Sequence, residues 1–301
     1  MTPPTEKQSN AGPIGIAGTG RLAQALGRLL MSMRQPVVAM AGRDPERTAR
    51  AAAFAGVDVV SVTFEQLPAH ASRILIAVPD DALSQTAEKL AAGGMTAGVV
   101  LHTCGTRGVD VLQLLACRGV ACGVLHPLQT VATPEQGVRA LPGCACAVIG
   151  DGAASAWALE IVALLGGEAL QIGPEQQPLY HASAVMASNY VVALVDAAVI
   201  LMGEAGIDPS KALRALAPLL TASAANALAL SPRGALTGPL ERGDVRTIDT
   251  HLQALERAPR SVRELYRSAA RHTLELARQK NPATDYSALE RLLRKGAEAS
   301  E

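Results

Sequence analysis

Three small residues follow a short apolar segment near the start of the chain, and their spacing suits phosphate binding. Gly18 allows a tight turn, Gly20 removes the side chain that would separate the backbone from a pyrophosphate, and Ala23 takes a close-packed position in the next helix. The N–H groups of that helix add the positive end of its dipole. The alternative is an ordinary strand-to-helix turn. We predict a dinucleotide site that includes Gly15, Gly18, Thr19, Gly20, Arg21, Leu22 and Ala23.

The charge after the second apolar segment indicates which dinucleotide is bound. NAD sites usually place a carboxylate at the end of this strand, whereas an arginine there suits the 2′-phosphate of NADP. Here Arg43 follows the segment 36–41, with Arg47 and Arg50 close behind. Asp44 has the pattern of a helix N-cap. We predict NADP bound by Arg43; the alternative is that Arg43 is solvated and Asp44 binds the ribose.

Two histidines fall where predicted strands end, and a histidine there can act as an acid or a base. His102 follows the segment 99–101, and His126 follows 120–125. Imidazole can donate or accept a proton near neutral pH. His126 either acts on the substrate or caps its own turn. Cys104 fits a small packing residue better than a nucleophile. The loops expected to touch the dinucleotide contain Val78, Pro79, Asp80, Thr103 and Cys104.

The elements that must position these residues alternate between strand and helix in the first half of the chain. Such alternation predicts a parallel sheet with helices on both faces, which binds ligands beyond its carboxyl edge. From residue 175 onward helical patterns dominate. We expect an α/β chain, with a Rossmann NADP-binding domain over 12–173 and an all-α substrate and dimerisation domain over 174–301.

A long apolar tract, 178–204, is expected to form the central helix of the second domain. Asn189 and Asp196 interrupt its most apolar part, 182–200, so we interpret it as a buried helix and not as a membrane span. His181 and Asn189 are either satisfied core groups or groups that face the substrate cleft.

Composition limits the kind of partner. The 301 residues include 27 Lys and Arg against 27 Asp and Glu, so no net charge attracts nucleic acid or an anionic membrane. Five cysteines form no C-x-x-C pair, which favours free thiols in the cytoplasm over disulfides or a zinc site. We expect a small-molecule partner and no metal.

Several motifs together resemble a known protein family. They are the glycine turn, Val78-Pro79-Asp80-Asp81, His126-Pro127-Leu128-Gln129-Thr130, Tyr180-His181-Ala182 with Ser188-Asn189, and Ala235-Leu236-Thr237-Gly238-Pro239 with Arg242-Gly243-Asp244 and His251-Leu252. The chain resembles Rossmann-like oxidoreductases with a 6-phosphogluconate-dehydrogenase-like helical domain, which are related to ketopantoate reductases, pyrroline-5-carboxylate reductases and prephenate dehydrogenases.

The resemblance implies hydride transfer between NADP and a small, usually carboxylated substrate, often in a homodimer. It implies His126, His181 and Asn189 as catalytic residues and Ser188, Thr237 and Arg242 as substrate contacts; Arg242 could instead pair with Asp244 or cap a helix. Relatives carry a lysine four residues before the asparagine, where this chain has Val185. We expect an NADPH-dependent reductase of an oxo-acid or imine, ketopantoate first. The alternatives are a dehydrogenase of the prephenate type and a non-catalytic NADPH sensor.

Overall fold

The computed structural model describes residues 12–294, and the chain divides into two compact units between Ser188 and Asn189. The predicted boundary between 173 and 174 therefore lies one helix earlier than this division.

The first unit is built on one eight-stranded sheet with the strand order β3-β2-β1-β4-β5-β6-β7-β8. The first six strands have the order of a dinucleotide-binding Rossmann sheet. The strands are β1 Ile14–Ala17, β2 Val37–Ala41, β3 Val60–Val62, β4 Arg73–Ile76, β5 Val99–His102, β6 Ala121–Pro127, β7 Cys146–Ile149 and β8 Ala169–Gln171.

Helices cover both faces of this sheet, which confirms the predicted α/β class. Alternate strand residues point to opposite faces: Ile16 and Leu75 belong to one buried cluster, and Ile74 and Ile76 to the other. The helices are α1 Arg21–Ser32, α2 Pro45–Ala55, α3 Leu67–His70, α4 Leu83–Ala92, α5 Gln113–Ala116, α6 Pro134–Ala140, α7 Gly152–Leu164 and α8 Gln177–Ala187.

One strand runs against the expected all-parallel sheet. β7 pairs antiparallel with β6, with His126 opposite Ala147 and Pro127 opposite Cys146. The connection through α6 stays at the edge where β6 ends, so the chain must re-enter the sheet in the reverse direction. The apolar pattern of β7 indicates a strand but carries no information about its direction.

The second unit is helical, and its described core is formed by the last helices of the chain. Buried residues of α12, α13 and α14, among them Ile248, Leu274 and Leu289, pack together, and Ile200 and Leu201 of α9 lie partly buried against them. The helices are α9 Asn189–Glu204, α10 Pro209–Leu230, α11 Pro232–Ala235, α12 Val245–Ala254, α13 Arg260–Lys280 and α14 Ser287–Arg294.

The apolar tract 178–204 does not form the buried central helix that the sequence predicts. α8 ends at Ala187, and no residue of α9 is buried. In α10 only Ala212 is buried. By length and composition alone, Pro174–Glu204 and Pro209–Leu230, with mean hydropathies of 1.9 and 1.4, could each cross a membrane. The apolar pattern predicts helices whose side chains favour burial. It does not show whether other parts of this chain bury them.

Candidate functional site

The glycine turn between β1 and α1 has the geometry that a phosphate site requires. Gly18 has a φ of +139°, and a Cβ there would overlap the carbonyl oxygen of Ala77. Gly20 is the N-cap of α1, and no side chain caps that helix end. A Cβ at Gly20 would meet no atom within 4 Å. Gly18 is therefore required by the fold, whereas the space above Gly20 is open to a ligand.

Two residues of the predicted dinucleotide motif, Gly15 and Ala23, pack beneath the turn, and for Ala23 this is the close-packed position that the sequence predicts. Gly15 lies inside β1, where a Cβ would stand 2.8 Å from Leu67 Cδ1. Ala23 is fully buried in α1. Gly15 is small because Leu67 and Ala71 approach it closely, and neither Gly15 nor Ala23 lines the cavity at this edge of the sheet.

A cavity of about 560 Å³ lies at the carboxyl edge of the sheet. It brings together every other residue predicted to contact the cofactor, and both predicted catalytic histidines of this unit. Its lining includes Gly18, Thr19, Gly20, Arg21, Leu22, Arg43, Val78, Pro79, Asp80, Thr103, Cys104, His126 and His181.

Basic side chains line the end of the cavity next to β2. Arg43 and Arg47 both line it, whereas Arg50 lies outside the lining and pairs with Glu46 at 3.7 Å. Asp44 Oδ1 accepts a hydrogen bond from the Arg47 backbone N–H at 2.8 Å. Asp44 is therefore the N-cap of α2, as its sequence pattern predicts, and the exposed Arg43 is available to an anion.

His102 is a structural residue. Its ring is completely buried. Nδ1 accepts from the Cys104 backbone N–H at 3.2 Å, so Nε2 carries the proton and donates to Gly108 O at 3.1 Å. Burial lowers the pKa of His102. The ring is held neutral and fixes the loop that follows β5.

That loop carries a chain of hydrogen bonds that ends on Asp80. The Thr106 hydroxyl donates to Asp80 Oδ2 at 2.6 Å, and Cys104 Sγ lies 3.3 Å from Thr106 Oγ1. Burial raises the pKa of Asp80, but hydrogen bonds from Thr106 and Cys104 outweigh it and leave the pKa lowered. Burial also raises the pKa of Cys104, which keeps the thiol protonated. Cys104 is thus a packing residue, as the sequence indicates.

His126 is the centre of a cluster at the other end of the cavity. Its Nδ1 lies 3.0 Å from Tyr180 Oη, and the two rings meet edge to face at 87°. The His181 ring centre is 6.1 Å from that of His126. Burial lowers the pKa of His126 to about 4, assisted by His181 and opposed by Asp80. His126 is therefore neutral at neutral pH.

Tyr180 and Gly105 are members of this cluster that the sequence did not single out. A Cβ on Gly105 would stand 2.7 Å from both His126 Nε2 and His181 Cδ2, so a side chain there would displace the histidines. Gln177 ties α8 to the same loop by donating from Nε2 to Arg107 O at 2.7 Å. The only sequence signal for Tyr180 is its place beside His181.

The other predicted substrate residues lie at or beyond the boundary between the units. Ser188 follows the last residue of α8 and is half-buried, and Asn189 is the exposed first residue of α9. Thr237 and Arg242 are exposed on the loop between α11 and α12.

Three residues of the second unit fix this loop. Lys280 Nζ donates to Leu236 O at 2.6 Å, Asn281 Nδ2 donates to Glu241 Oε1 at 2.8 Å, and the Tyr286 hydroxyl donates to Glu241 O at 2.7 Å. Asp244 caps α12 by accepting from the Thr247 backbone N–H. Hydrogen bonds from Thr247 lower the pKa of Asp244, and the nearby charge of Arg242 lowers it further, so Arg242 lies beside Asp244 on a braced loop.

Across the described part of the chain, no group of three or more His, Cys, Asp or Glu residues could hold a metal ion. All five cysteines are free thiols.

The fold and the glycine turn define a protein of the Rossmann class with a helical second unit. Two family models cover most of the chain: a Rossmann-like domain matches residues 2–127, and a domain of unknown function, DUF2520, matches residues 144–273. The chain is therefore similar to Rossmann-like proteins in its first part and to DUF2520 proteins in its second, which confirms the resemblance drawn from its motifs. No curated protein matches the chain in sequence.

Solved structures share this fold at low identity. A candidate NADP oxidoreductase from Bacteroides fragilis is 22% identical, with a TM-score of 0.73 over 88% of this chain and 98% of that one. A reductive aminase from Aspergillus terreus, in complex with NADPH and ethyl-5-oxohexanoate, is 18% identical, with a TM-score of 0.62 over 94% and 100%. A 1-pyrroline-5-carboxylate reductase from Streptococcus pyogenes is 19% identical, with a TM-score of 0.57 over 90% and 100%.

Proposed function

We propose that the protein is an NADP-dependent reductase of a small carbonyl or imine compound. The observation that carries the proposal is one cavity, which joins the open turn at Gly20 and the exposed Arg43 at one end to a neutral histidine, His126, at the other. NADP oxidoreductases, a reductive aminase and a pyrroline carboxylate reductase share the fold, which supports the same class of reaction.

The residues at the first end fit NADP in size and charge. A pyrophosphate fits over Gly20, where a Cβ would meet nothing, and the first turn of α1 would donate its N–H groups. The Arg43 guanidinium would bind the 2′-phosphate with two hydrogen bonds. Thr103 and Cys104 would contact the ring of the nicotinamide. When bound, the cofactor supplies the hydride.

The residues at the second end would orient and polarise the substrate. A neutral imidazole donates one hydrogen bond without carrying charge, which suits a carbonyl oxygen or an imine nitrogen that gains electron density. His181 lies beside His126 and would narrow the space available to the substrate. We propose that His126 binds the reacting heteroatom directly, and that Asn189 and Ser188 assist.

The substrate is proposed to carry a carboxylate. In the first unit, the arginines in the cavity lining are Arg21, Arg43 and Arg47, and they belong to the turn and to the β2 end. Arg21 is already engaged, since it donates to Ala132 O at 3.1 Å. We therefore propose Arg242, with Thr237 on the same loop, as the carboxylate contacts. Ketopantoate is the first candidate, and a cyclic imine acid is the second.

The test is the loss of NADPH absorbance on mixing the purified protein with ketopantoate, pyrroline carboxylate and other oxo-acids, with NADH in parallel. Turnover with NADPH and one of these compounds supports the proposal. Reduction of NADP⁺ by prephenate with no reaction on the panel would favour the dehydrogenase instead. Tight NADPH binding without turnover in either direction would favour a sensor.

We also propose that the protein is a homodimer formed through α9 and α10. These helices carry exposed apolar side chains, among them Val192 at 70% and Leu219 at 64% exposure, and an apolar groove of about 300 Å³ runs between them. A second copy would present the same apolar helices in return, as a two-fold interface requires. Light scattering at the elution peak should give twice the chain mass without detergent. A protein that stays soluble only in detergent would favour membrane insertion.

A further inference from the structure

The pair formed by Tyr180 and His126 can hold its shared proton in two ways. Either the phenol donates to Nδ1, or Nδ1–H donates to the phenol oxygen, across the same 3.0 Å. The first arrangement leaves the ring proton of His126 on Nε2, facing Gly105. The second leaves Nε2 as an acceptor. The direction of this one hydrogen bond therefore decides whether His126 offers a donor or an acceptor to a ligand.

The surroundings of the phenol select between the two arrangements. Within residues 12–294, His126 Nδ1 is the one hydrogen-bond partner of Tyr180 Oη. A half-buried hydroxyl that donates its proton needs an acceptor, and Nδ1 is the acceptor within reach. The phenol therefore donates to Nδ1, and the ring proton of His126 is left on Nε2. Burial raises the pKa of Tyr180 to about 12, so the phenol keeps its proton at neutral pH.

We propose that Tyr180 is a positioning residue that holds His126 as the Nε2–H tautomer and resupplies the proton that His126 gives to the substrate. The role in turnover rests on the proposed reductase function, whereas the tautomer belongs to the free protein. Within residues 12–294, Nε2 of His126 has no hydrogen-bond partner, which leaves it available to a ligand.

The proton balance closes without any other donor in the cluster. Hydride transfer forms a C–H bond on the substrate and leaves a negative oxygen, or a nitrogen anion for a neutral imine. His126 gives its Nε2 proton to that atom, while Nδ1 takes the phenol proton of Tyr180. Water then reprotonates the phenolate, and a second proton shift restores the Nε2–H form. A neutral imidazole alone is too weak an acid for this step, so a coupled donor is needed.

Of the charged and titratable groups around the pair, Asp80 and His102 are already engaged in hydrogen bonds of their own. Asp80 and His102 act on His126 only through charge, as does His181, and the two thiols act on Tyr180 in the same way. Asp80 is engaged with Thr106, and both ring nitrogens of His102 are engaged with backbone groups.

The experiment is ¹⁵N NMR of the imidazole side chains in the full-length protein without substrate, with His126→Asn used to identify the His126 signals. We expect Nε2 to carry the proton in the wild type at neutral pH. Tyr180→Phe keeps the ring and removes the hydroxyl, so the Nδ1–H form should rise at the expense of Nε2–H.

The chain offers a matched control in its second unit. His251 and Tyr266 form the same edge-to-face pair, with Nδ1 and Oη 2.9 Å apart. Tyr266→Phe should change the His251 signals and leave those of His126 unchanged. A wild-type His126 protonated on Nδ1, or a His126 tautomer that Tyr180→Phe does not alter, would overturn the proposal.

A second readout separates this proposal from the proposed function. NADPH affinity should be equal in the wild type and Tyr180→Phe, because Tyr180 does not line the cavity. On a reducible substrate, Tyr180→Phe should lower kcat about 100-fold with little change in KM, and the solvent isotope effect on kcat should rise. If no NADPH binds to either protein, the proposed function fails while the tautomer result stands. An unchanged kcat and isotope effect would overturn the proton resupply.

Discussion

Two apolar helices of this chain, one in each unit, have similar compositions and opposite surroundings. α7 in the first unit buries Ala154, Trp157 and Ile161 against the sheet. α10 in the second unit buries only Ala212 and exposes Leu219 and Leu228. The first unit therefore completes its own core, whereas the second leaves apolar surface that a second copy would cover. The cavity follows the same division, because the residues that line it, including the histidine cluster, belong to the first unit.

The largest expected effect concerns the uncovered surface. Leu219→Asp should dissociate the proposed dimer, because a two-fold interface would receive the charge twice and lose about 1.5–3 kcal/mol of burial at each site. Light scattering over a dilution series should show a dissociation constant raised by at least about 100-fold.

The control for this change lies in the first unit. Val57 is 96% exposed. Val57→Asp should leave the mass from light scattering unchanged, because Val57 lies in the first unit and outside the proposed interface. A dimer that survives Leu219→Asp, or one that Val57→Asp disrupts equally, would remove the distinction between the two units.

The next largest effect separates two glycines within the first unit. Gly18→Ala should lower the free energy of unfolding by about 3 kcal/mol, because its φ of +139° and the Ala77 carbonyl leave no room for a methyl group. Gly20→Ala should lower the melting temperature only slightly, because alanine is a poorer N-cap than glycine. It should weaken NADPH binding by about 10-fold or more, because the methyl group would occupy space kept for the pyrophosphate. Thermal unfolding and a fluorescence titration of NADPH measure the two effects. Unchanged NADPH affinity in Gly20→Ala would contradict the assignment.

The histidine cluster predicts a pH dependence for the first unit. Since burial lowers the pKa of His126 from 6.5 to about 4, the unfolded chain binds the proton more tightly. The contribution of His126 to the free energy of unfolding is fully present above about pH 6.5 and is lost as the pH falls toward 4. The loss is about 2 kcal/mol after allowance for the exposed part of the ring. His126→Asn should flatten this part of a denaturant-unfolding series against pH. His126→Asn keeps the part of the change of unfolding free energy with pH that is due to His102, because burial lowers the pKa of His102 as well. An identical slope in His126→Asn would show that the ring is not held neutral.

The smallest effect tests the charge at the cofactor end. Arg43→Ala should weaken NADPH binding by about 10-fold and leave NADH binding unchanged, because only NADPH carries the 2′-phosphate. Arg50→Ala is the matched control, since Arg50 lies outside the cavity lining and pairs with Glu46. Equal losses for both cofactors in Arg43→Ala would assign this arginine to the adenine or to the fold.

Local sequence patterns predicted the first unit well because each relevant interaction is local. Gly18, Gly20 and the Asp44 cap act within one turn, so residue type and spacing define them. The reversed β7 could not be predicted, because its direction depends on where α6 returns the chain to the sheet.

The candidate site was predictable where residues follow strand ends and not where distant segments meet. Pro79, Cys104 and His126 follow or end parallel strands, so the sheet brings them together. Tyr180 and His126 are far apart in the chain and adjacent only in the fold. Gly15 matches the spacing of a phosphate turn but packs against Leu67, since a pattern of small residues does not distinguish space for a ligand from space for a helix. The apolar pattern of α9 predicts that its side chains favour burial. It does not predict that they are exposed in the single chain.

The most direct test of the central claim is a calorimetric titration of the purified protein with NADPH and with NADH. The open turn at Gly20 and the exposed Arg43 predict one saturable NADPH site per chain, with NADH bound at least about 10-fold more weakly. Equal affinities would contradict the role of Arg43. The absence of saturable NADPH binding to the folded protein would contradict the assignment of the cavity itself.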